Sequence, residues 1–186
     1  MFDGCARSRS ADGYDPRVDD QDETRWLSPD ERDAWFALAW LMIRLPGAID
    51  AQLQQDSGLS FFEYLVLATL SESPGRRLRM SELAQHVNGS VSRLSNVAKR
   101  LEQRGWLERT PSEENGRYIE ATLTEAGMAV VEKAAPGHVA AVRRYVFDAL
   151  RPGQVTELSA IGRQIAVQVE GENLGPPFSG GTSRRP

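Results

Sequence analysis

Between Met80 and Gly127, apolar residues recur first at helical spacing and then at every second position. Leu83, Ala84 and Val87 give a short apolar face to a helix over Glu82–Val87, with Ser81 placed to cap it. Asn88-Gly89 supplies a tight turn, because both residues tolerate positive φ. A second helix is predicted from Ser90 to Arg104. Val91, Leu94, Ala98 and Leu101 share one face with Val97 at its edge, and Ser92, Asn96, Lys99 and Gln103 lie opposite. Ser90 can cap its start, and Gly105 can close its end in the left-handed conformation. Trp106–Arg109 and Tyr118–Leu123 then alternate as half-buried strands do, joined by a tip over Pro111–Gly116 with Arg117 at its base. Two short helices, a tight turn and a hairpin make a winged helix-turn-helix.

The remaining helices are well punctuated. Ser28-Pro29-Asp30-Glu31 is a capping box with Pro at the first helical position, opening a helix to about Gln55 that Pro46 should kink. Ser60-Phe61-Phe62-Glu63 is a second box, and Pro74-Gly75 ends the helix it opens. Thr124 caps a helix to about Leu150, with a second kink at Pro136-Gly137. After Arg151-Pro152-Gly153, Val155, Leu158, Ile161, Ile165 and Val169 stripe a last helix. The fold class is mainly α with a small β-hairpin wing. The first, fifth and sixth helices carry more apolar surface than a small winged domain can cover. A second copy of the chain covers it most simply, as a symmetric dimerisation layer; a self-folded monomer is the competing arrangement.

With 186 residues and 40% of them apolar, the chain suits one domain plus tails. That domain runs over 28–170, with the winged part at about 60–123 and the dimerisation helices at about 28–56 and 124–170. Up to position 33 ten acids outweigh five bases, so residues 1–27 read as a disordered acidic extension. Residues 171–186, rich in Gly, Pro and Ser, read as a disordered tail. The longest apolar stretch, Ala34–Leu45, contains Arg44 and meets Pro46-Gly47, and the first residues lack a signal-peptide core. No membrane segment and a cytoplasmic location are therefore expected.

The polar face of the second helix carries hydroxyl, amide and ammonium groups, which can address base edges in a major groove and hold phosphates. From Arg76 to Arg117 nine basic residues stand against five acidic, a net of +4 in a chain of net −4, leaving −8 elsewhere. Positive charge gathered on the segment with reader geometry is the footprint of a phosphate-contacting module. The candidate DNA contacts are Ser90, Ser92, Arg93, Ser95, Asn96, Lys99, Arg100, Asn115 and Arg117, the last reaching toward a narrow minor groove. The expected partners are double-stranded DNA bearing an inverted repeat and a second copy of the chain. The alternative is a non-catalytic protein-interaction module on the same fold.

The stretch SVSRLSNVAKRLEQRGWLERTPSEENGRYIEATLTEAG resembles the recognition helix and wing of the MarR family, the multiple-antibiotic-resistance regulators. The matching features are the Ser-rich helix start, the Leu-Glu-x-x-Gly end, Arg117, and Leu123-Thr124-Glu125-Ala126-Gly127 opening the next helix. The resemblance extends more weakly from about Pro29 to Glu170. It implies a dimer formed by the terminal helices and a repressor released by a small molecule. Asn115 stands where the family usually has Asp, which removes a charge-assisted bond to Arg117 and loosens that clamp.

Trp35, Phe36, Trp40, Phe61, Phe62 and Tyr64 cluster where the first and second helices meet. The resemblance implies that a small aromatic ligand binds between the dimer layer and the reader, so Trp35, Trp40, Phe61, Phe62 and Tyr64 are the candidate pocket. Their helical spacing equally suits core packing. Cys5 offers oxidation as another switch, but it has no second Cys and lies in the polar extension, so an inert thiol is expected. His86 and His138 have no Cys or paired carboxylate at metal-ligand spacing, and no phosphate loop or nucleophile motif is present. Neither enzyme activity, metal nor cofactor is expected.

Overall fold

The computed structural model describes residues 24–112 and 115–170. Most of the predicted acidic extension, including Cys5, the tail 171–186, and Glu113 and Glu114 at the wing tip lie outside them. The chain falls into two units, Met1–Ala39 and Trp40–Pro186.

Helix α1 (Pro29–Ser57) starts at its predicted box: the Ser28 N–H donates to Glu31 Oε2 at 2.8 Å, and the Glu31 N–H to Ser28 Oγ at 3.2 Å. It runs on through Pro46 to Ser57. Helix α2 (Phe61–Glu72) opens on the second box, with the Ser60 N–H donating to Glu63 Oε2 at 2.9 Å and the Glu63 N–H to Ser60 Oγ at 3.2 Å. A 3₁₀ turn at Pro74–Arg76 follows, with Gly75 at φ 62°.

Strand β1 (Arg77–Arg79) was not expected, since three residues are too short to show alternation. It turns the hairpin of β2 (Leu107–Pro111) and β3 (Ile119–Leu123) into a three-stranded antiparallel sheet of order β1-β3-β2. Ala121 is the central register point, facing Leu78 on one side and Arg109 on the other. Between β1 and β2 lie α3 (Met80–His86) and α4 (Val91–Gln103).

Helix α5 (Glu125–Tyr145) is capped by Thr124, whose Oγ1 accepts from the Gly127 N–H at 3.0 Å, and it too passes through its proline, Pro136. It stops at Tyr145, short of the expected Leu150, with a 3₁₀ turn at Phe147–Ala149 and then α6 (Gln154–Glu170). Gly127 makes the junction possible. A Cβ there would lie 2.1 Å from the Trp106 carbonyl oxygen, so only hydrogen fits where α5 crosses the strand entry.

Leu53, Leu59, Leu67, Leu70, Leu83, Leu94, Leu101 and Leu107 are fully buried and form the centre of the core. Among its described residues helix α6 contributes none to the buried core, and its stripe stays in solvent: Leu158 is 46% and Ile161 53% exposed. Trp40, Leu41, Met42 and Ile43 on α1 are exposed as well. By length and composition α1 is long and apolar enough to cross a membrane. That differs from the expectation drawn from the unbroken apolar run, because Arg44 and Pro46 interrupt the run without interrupting the helix.

Candidate nucleic-acid interface

The approach to α4 is built differently from its sequence expectation. α3 begins at Met80, which is buried, and its N-cap position is Arg79, with no side-chain cap bond. Ser81 therefore falls inside the first turn and does not cap the helix. In the following turn Asn88 takes the positive φ, at 47°, and Gly89 does not. Gly89 serves another need: a Cβ on it would meet Phe62 Cζ at 2.8 Å, so its lack of a side chain lets the turn lie against the ring. The Gly89 N–H returns to the Ala84 carbonyl at 2.9 Å and closes the turn.

The ends of α4 match the reading of the sequence. Ser90 Oγ accepts from the Arg93 N–H at 3.2 Å. At the other end Gly105 has φ 72°, its N–H donates to the Glu102 carbonyl at 2.9 Å, and the Trp106 N–H donates to that of Leu101 at 3.0 Å. This pair of bonds is a Schellman closure, and it fixes where the helix stops and the wing starts.

Leu94, Val97, Ala98 and Leu101 are buried, while Ser92, Asn96, Lys99 and Gln103 are exposed and Ser95 is half-buried. Val91 departs from the pattern: it is 54% exposed, not on the core face. The two arginines of α4 lie seven residues apart on the flank toward α2. The Arg93 guanidinium sits 4.0 Å from the centre of the Phe62 ring. Glu63 Oε1 accepts from Arg100 Nε at 3.3 Å and Nη2 at 3.2 Å. Burial of Glu63 opposes its ionisation, but the hydrogen bonds from Ser60 and the Arg100 guanidinium outweigh that cost and hold the carboxyl below its ordinary range.

Pairing also redraws the charge map. Arg76 meets Glu125, Arg77 meets Glu120, Arg100 meets Glu63 and Arg109 meets Glu102, so four of the nine bases are already matched by carboxylates. Lys99 and Arg117 are exposed and make no ion pair among the described residues. In the wing, the Ser112 N–H donates to the Tyr118 carbonyl at 2.8 Å and extends the β2–β3 ladder. Asn115 Oδ1 accepts from the Arg117 N–H at 3.2 Å, and the Asn115 carbonyl accepts from the Tyr118 N–H at 2.9 Å. Asn115 thus fixes the backbone of Arg117 through a local turn and leaves its guanidinium exposed. Ser90 is exposed, its hydroxyl committed to the cap.

A cleft of about 870 Å³ runs along the flank of α4, with Asp50, Phe61, Phe62, Arg93, Asn96 and Arg100 among its lining. Phe61 and Phe62 of the expected aromatic cluster are here. Tyr64 is not: it is buried 4.5 Å, centre to centre, from the His138 ring. Burial pushes the His138 imidazole pKa down. Trp40 is 61% exposed and off the cleft, and Trp35 lies half-exposed in the other unit. The cleft's polar walls, Asp50, Arg93, Asn96 and Arg100, were not foreseen as such. Asp50 accepts from the Phe61 N–H at 2.7 Å, a long-range contact with no local signature.

A crystal structure of a MarR family transcriptional regulator from Streptomyces coelicolor, in complex with DNA, matches at 42% identity and a TM-score of 0.76, over 80% of this chain and 93% of that one. This chain belongs to the MarR family. The family model itself matches residues 59–119, from the start of α2 into β3. A second MarR family regulator from the same organism, AbsC, matches at 39% identity and a TM-score of 0.74, over 80% of this chain and all of AbsC. An HTH-type transcriptional repressor of Mycobacterium tuberculosis is 38% identical over 77 residues, which are 41% of this chain. The match spans 54% of that repressor, so the chain covers about half the length of the curated relatives it matches first. The mainly helical fold with a small antiparallel sheet is that of the MarR structures, and β1 is the member of the sheet that the sequence hid.

Proposed function

We propose that this MarR-family chain is a homodimeric, sequence-specific DNA-binding transcription regulator that acts as a repressor in the cytoplasm. The observation that carries this reading is the α4 surface. Ser92, Asn96 and Lys99 stand exposed in one strip over a fully packed inner face, between a capped start and a closed end. Such a strip offers amide and hydroxyl groups to base edges and an ammonium to phosphate, while the wing presents Arg117 beside it in sequence order, suited to a minor groove. The DNA complex of the Streptomyces relative supports the same reading.

A second chain is needed by the surfaces that the first leaves in water, the stripe of α6 above all. Two copies place two α4 helices about a twofold axis, and the operator is then an inverted repeat with half-sites about one helical turn apart. Release follows from a small aromatic ligand entering the cleft, where Phe61 and Phe62 give an apolar floor and Asp50, Arg93 and Asn96 stand among the polar walls. A ligand there bears directly on α4 and shifts the helix pair away from DNA-binding spacing.

Selection from a random DNA pool tests the reading. Enrichment of a palindromic site, bound by a dimer in gel retardation, is the expected result. A non-palindromic consensus or no enrichment refutes the symmetric reader and leaves the protein-interaction module as the better account.

A further inference from the structure

The inner face of α4 is complete without Val91. Leu94, Ala98 and Leu101 are fully buried and Val97 nearly so, whereas Val91, the first residue of the helix, is 54% exposed. It is the one large apolar side chain that α4 leaves in water. Its neighbours are polar. Ser90 is held to the Arg93 N–H as the cap, Ser92 is exposed, and Arg93 turns away to stack on Phe62. The exposed strip of the helix thus runs from Val91 and Ser92 through Asn96 and Lys99 to Gln103, with its single aliphatic group at the leading end.

On the edges of the major groove the thymine C5-methyl is the only apolar group, and aliphatic side chains recognise it by excluding water from both. The first residues of a recognition helix are those that come nearest the base edges. We propose that Val91 reads a thymine methyl group in each half-site. Asn96, further along the strip, reads hydrogen-bonding edges, so the two residues distinguish different features of the base pairs. This inference rests on the DNA-binding reading given above.

The methyl can be removed from the DNA without touching any hydrogen bond. Duplexes carrying the selected operator are made with each thymine of a half-site replaced in turn by deoxyuridine. They are titrated against the full chain and against Val91→Ala. One position should cost the wild-type protein about fourfold in affinity per half-site, the scale of one buried methyl. Val91→Ala should lose about the same on thymine DNA and show no further loss on deoxyuridine at that position. Val91→Thr, which keeps one methyl on a β-branched side chain, should retain part of the discrimination and guards against a folding defect in the alanine variant. Tight binding with no deoxyuridine effect at any position, or an effect that persists unchanged in Val91→Ala, overturns the assignment while leaving DNA binding intact. Failure to bind any duplex removes the DNA-binding reading itself, and this inference with it.

Discussion

Glu63 and Arg100 join the start of α2 to the last turns of α4 through one buried carboxylate oxygen, 3.2 Å from Nη2 and 3.3 Å from Nε. The other oxygen of Glu63 accepts from the Ser60 N–H at 2.9 Å and from the Ser60 hydroxyl at 3.0 Å. A single side chain therefore caps one helix and fixes the roll of the next, so the exposed strip of α4 is aimed by a buried residue.

Glu63→Gln keeps the shape and part of the cap but removes the charge from Arg100, and should cost about 1 to 3 kcal/mol of stability at neutral pH. The carboxyl is held below its ordinary value of 4.5 in the folded protein. Its contribution is therefore present above that value and lost as the pH falls through the lower, folded one. Urea titrations from pH 7 down to pH 3 should show the wild type converging on Glu63→Gln. A gap that stays constant across that range shows that the charge is not the stabilising part.

The glycines at the two close approaches should differ in severity. Gly89→Ala pushes a Cβ to 2.8 Å from the edge of the Phe62 ring, which can shift, at about 1 to 3 kcal/mol. Gly127→Ala meets a backbone carbonyl oxygen at 2.1 Å and should cost more than about 4 kcal/mol or prevent folding. Thermal denaturation of both variants orders them, and the reverse order contradicts the packing described.

Replacing Ile161 and Ile165 with Asp places charge on the exposed stripe of α6. The double variant should sediment as a monomer or become insoluble, since its own fold loses no buried contact there. An unchanged dimer moves the interface to another surface.

Asn96→Ala should relax base preference at one position per half-site by about 1 to 3 kcal/mol if the contact is bidentate. Arg117→Ala should weaken all sequences alike and lower the slope of log affinity against log salt by about one unit, with a small extra loss where the flanking minor groove is narrow. Salt titrations on the selected operator and on scrambled DNA separate the two. If Arg117→Ala alters base preference and Asn96→Ala does not, the roles are exchanged.

The sequence was most informative wherever the determining contact lies within four residues. The boxes at Ser28 and Ser60, the caps at Ser90 and Thr124 and the closing Gly105 could all be read in place, because each partner is a neighbour along the chain. Ser81 failed as a cap because tertiary burial of Met80 starts α3 two residues earlier. β1 was missed because its pairing with β3 spans some forty residues, as Leu78 opposite Ala121 illustrates. For the same reason the contacts of Arg93 with Phe62 and of Arg100 with Glu63, each more than thirty residues away in the chain, could not be read from the sequence. Helical spacing set the aromatics of α1 and α2 together, but the contacts that place them are long-range and were not readable from it. Phe61 and Phe62 line the cleft, Tyr64 packs on His138, and Trp40 faces outward.

Asn96 belongs to two surfaces at once, the outer strip of α4 and the wall of the cleft. On the proposed reading, what the protein senses and what it reads are then inherited together. A substitution selected for a new effector at this residue also rewrites operator choice, and a promoter that drifts under the old protein restricts which effectors its descendants can adopt. Paralogues of such a regulator should diverge in both respects in the same step, while those that change effector alone should do so through Phe61 or Asp50, which line the cleft without belonging to α4.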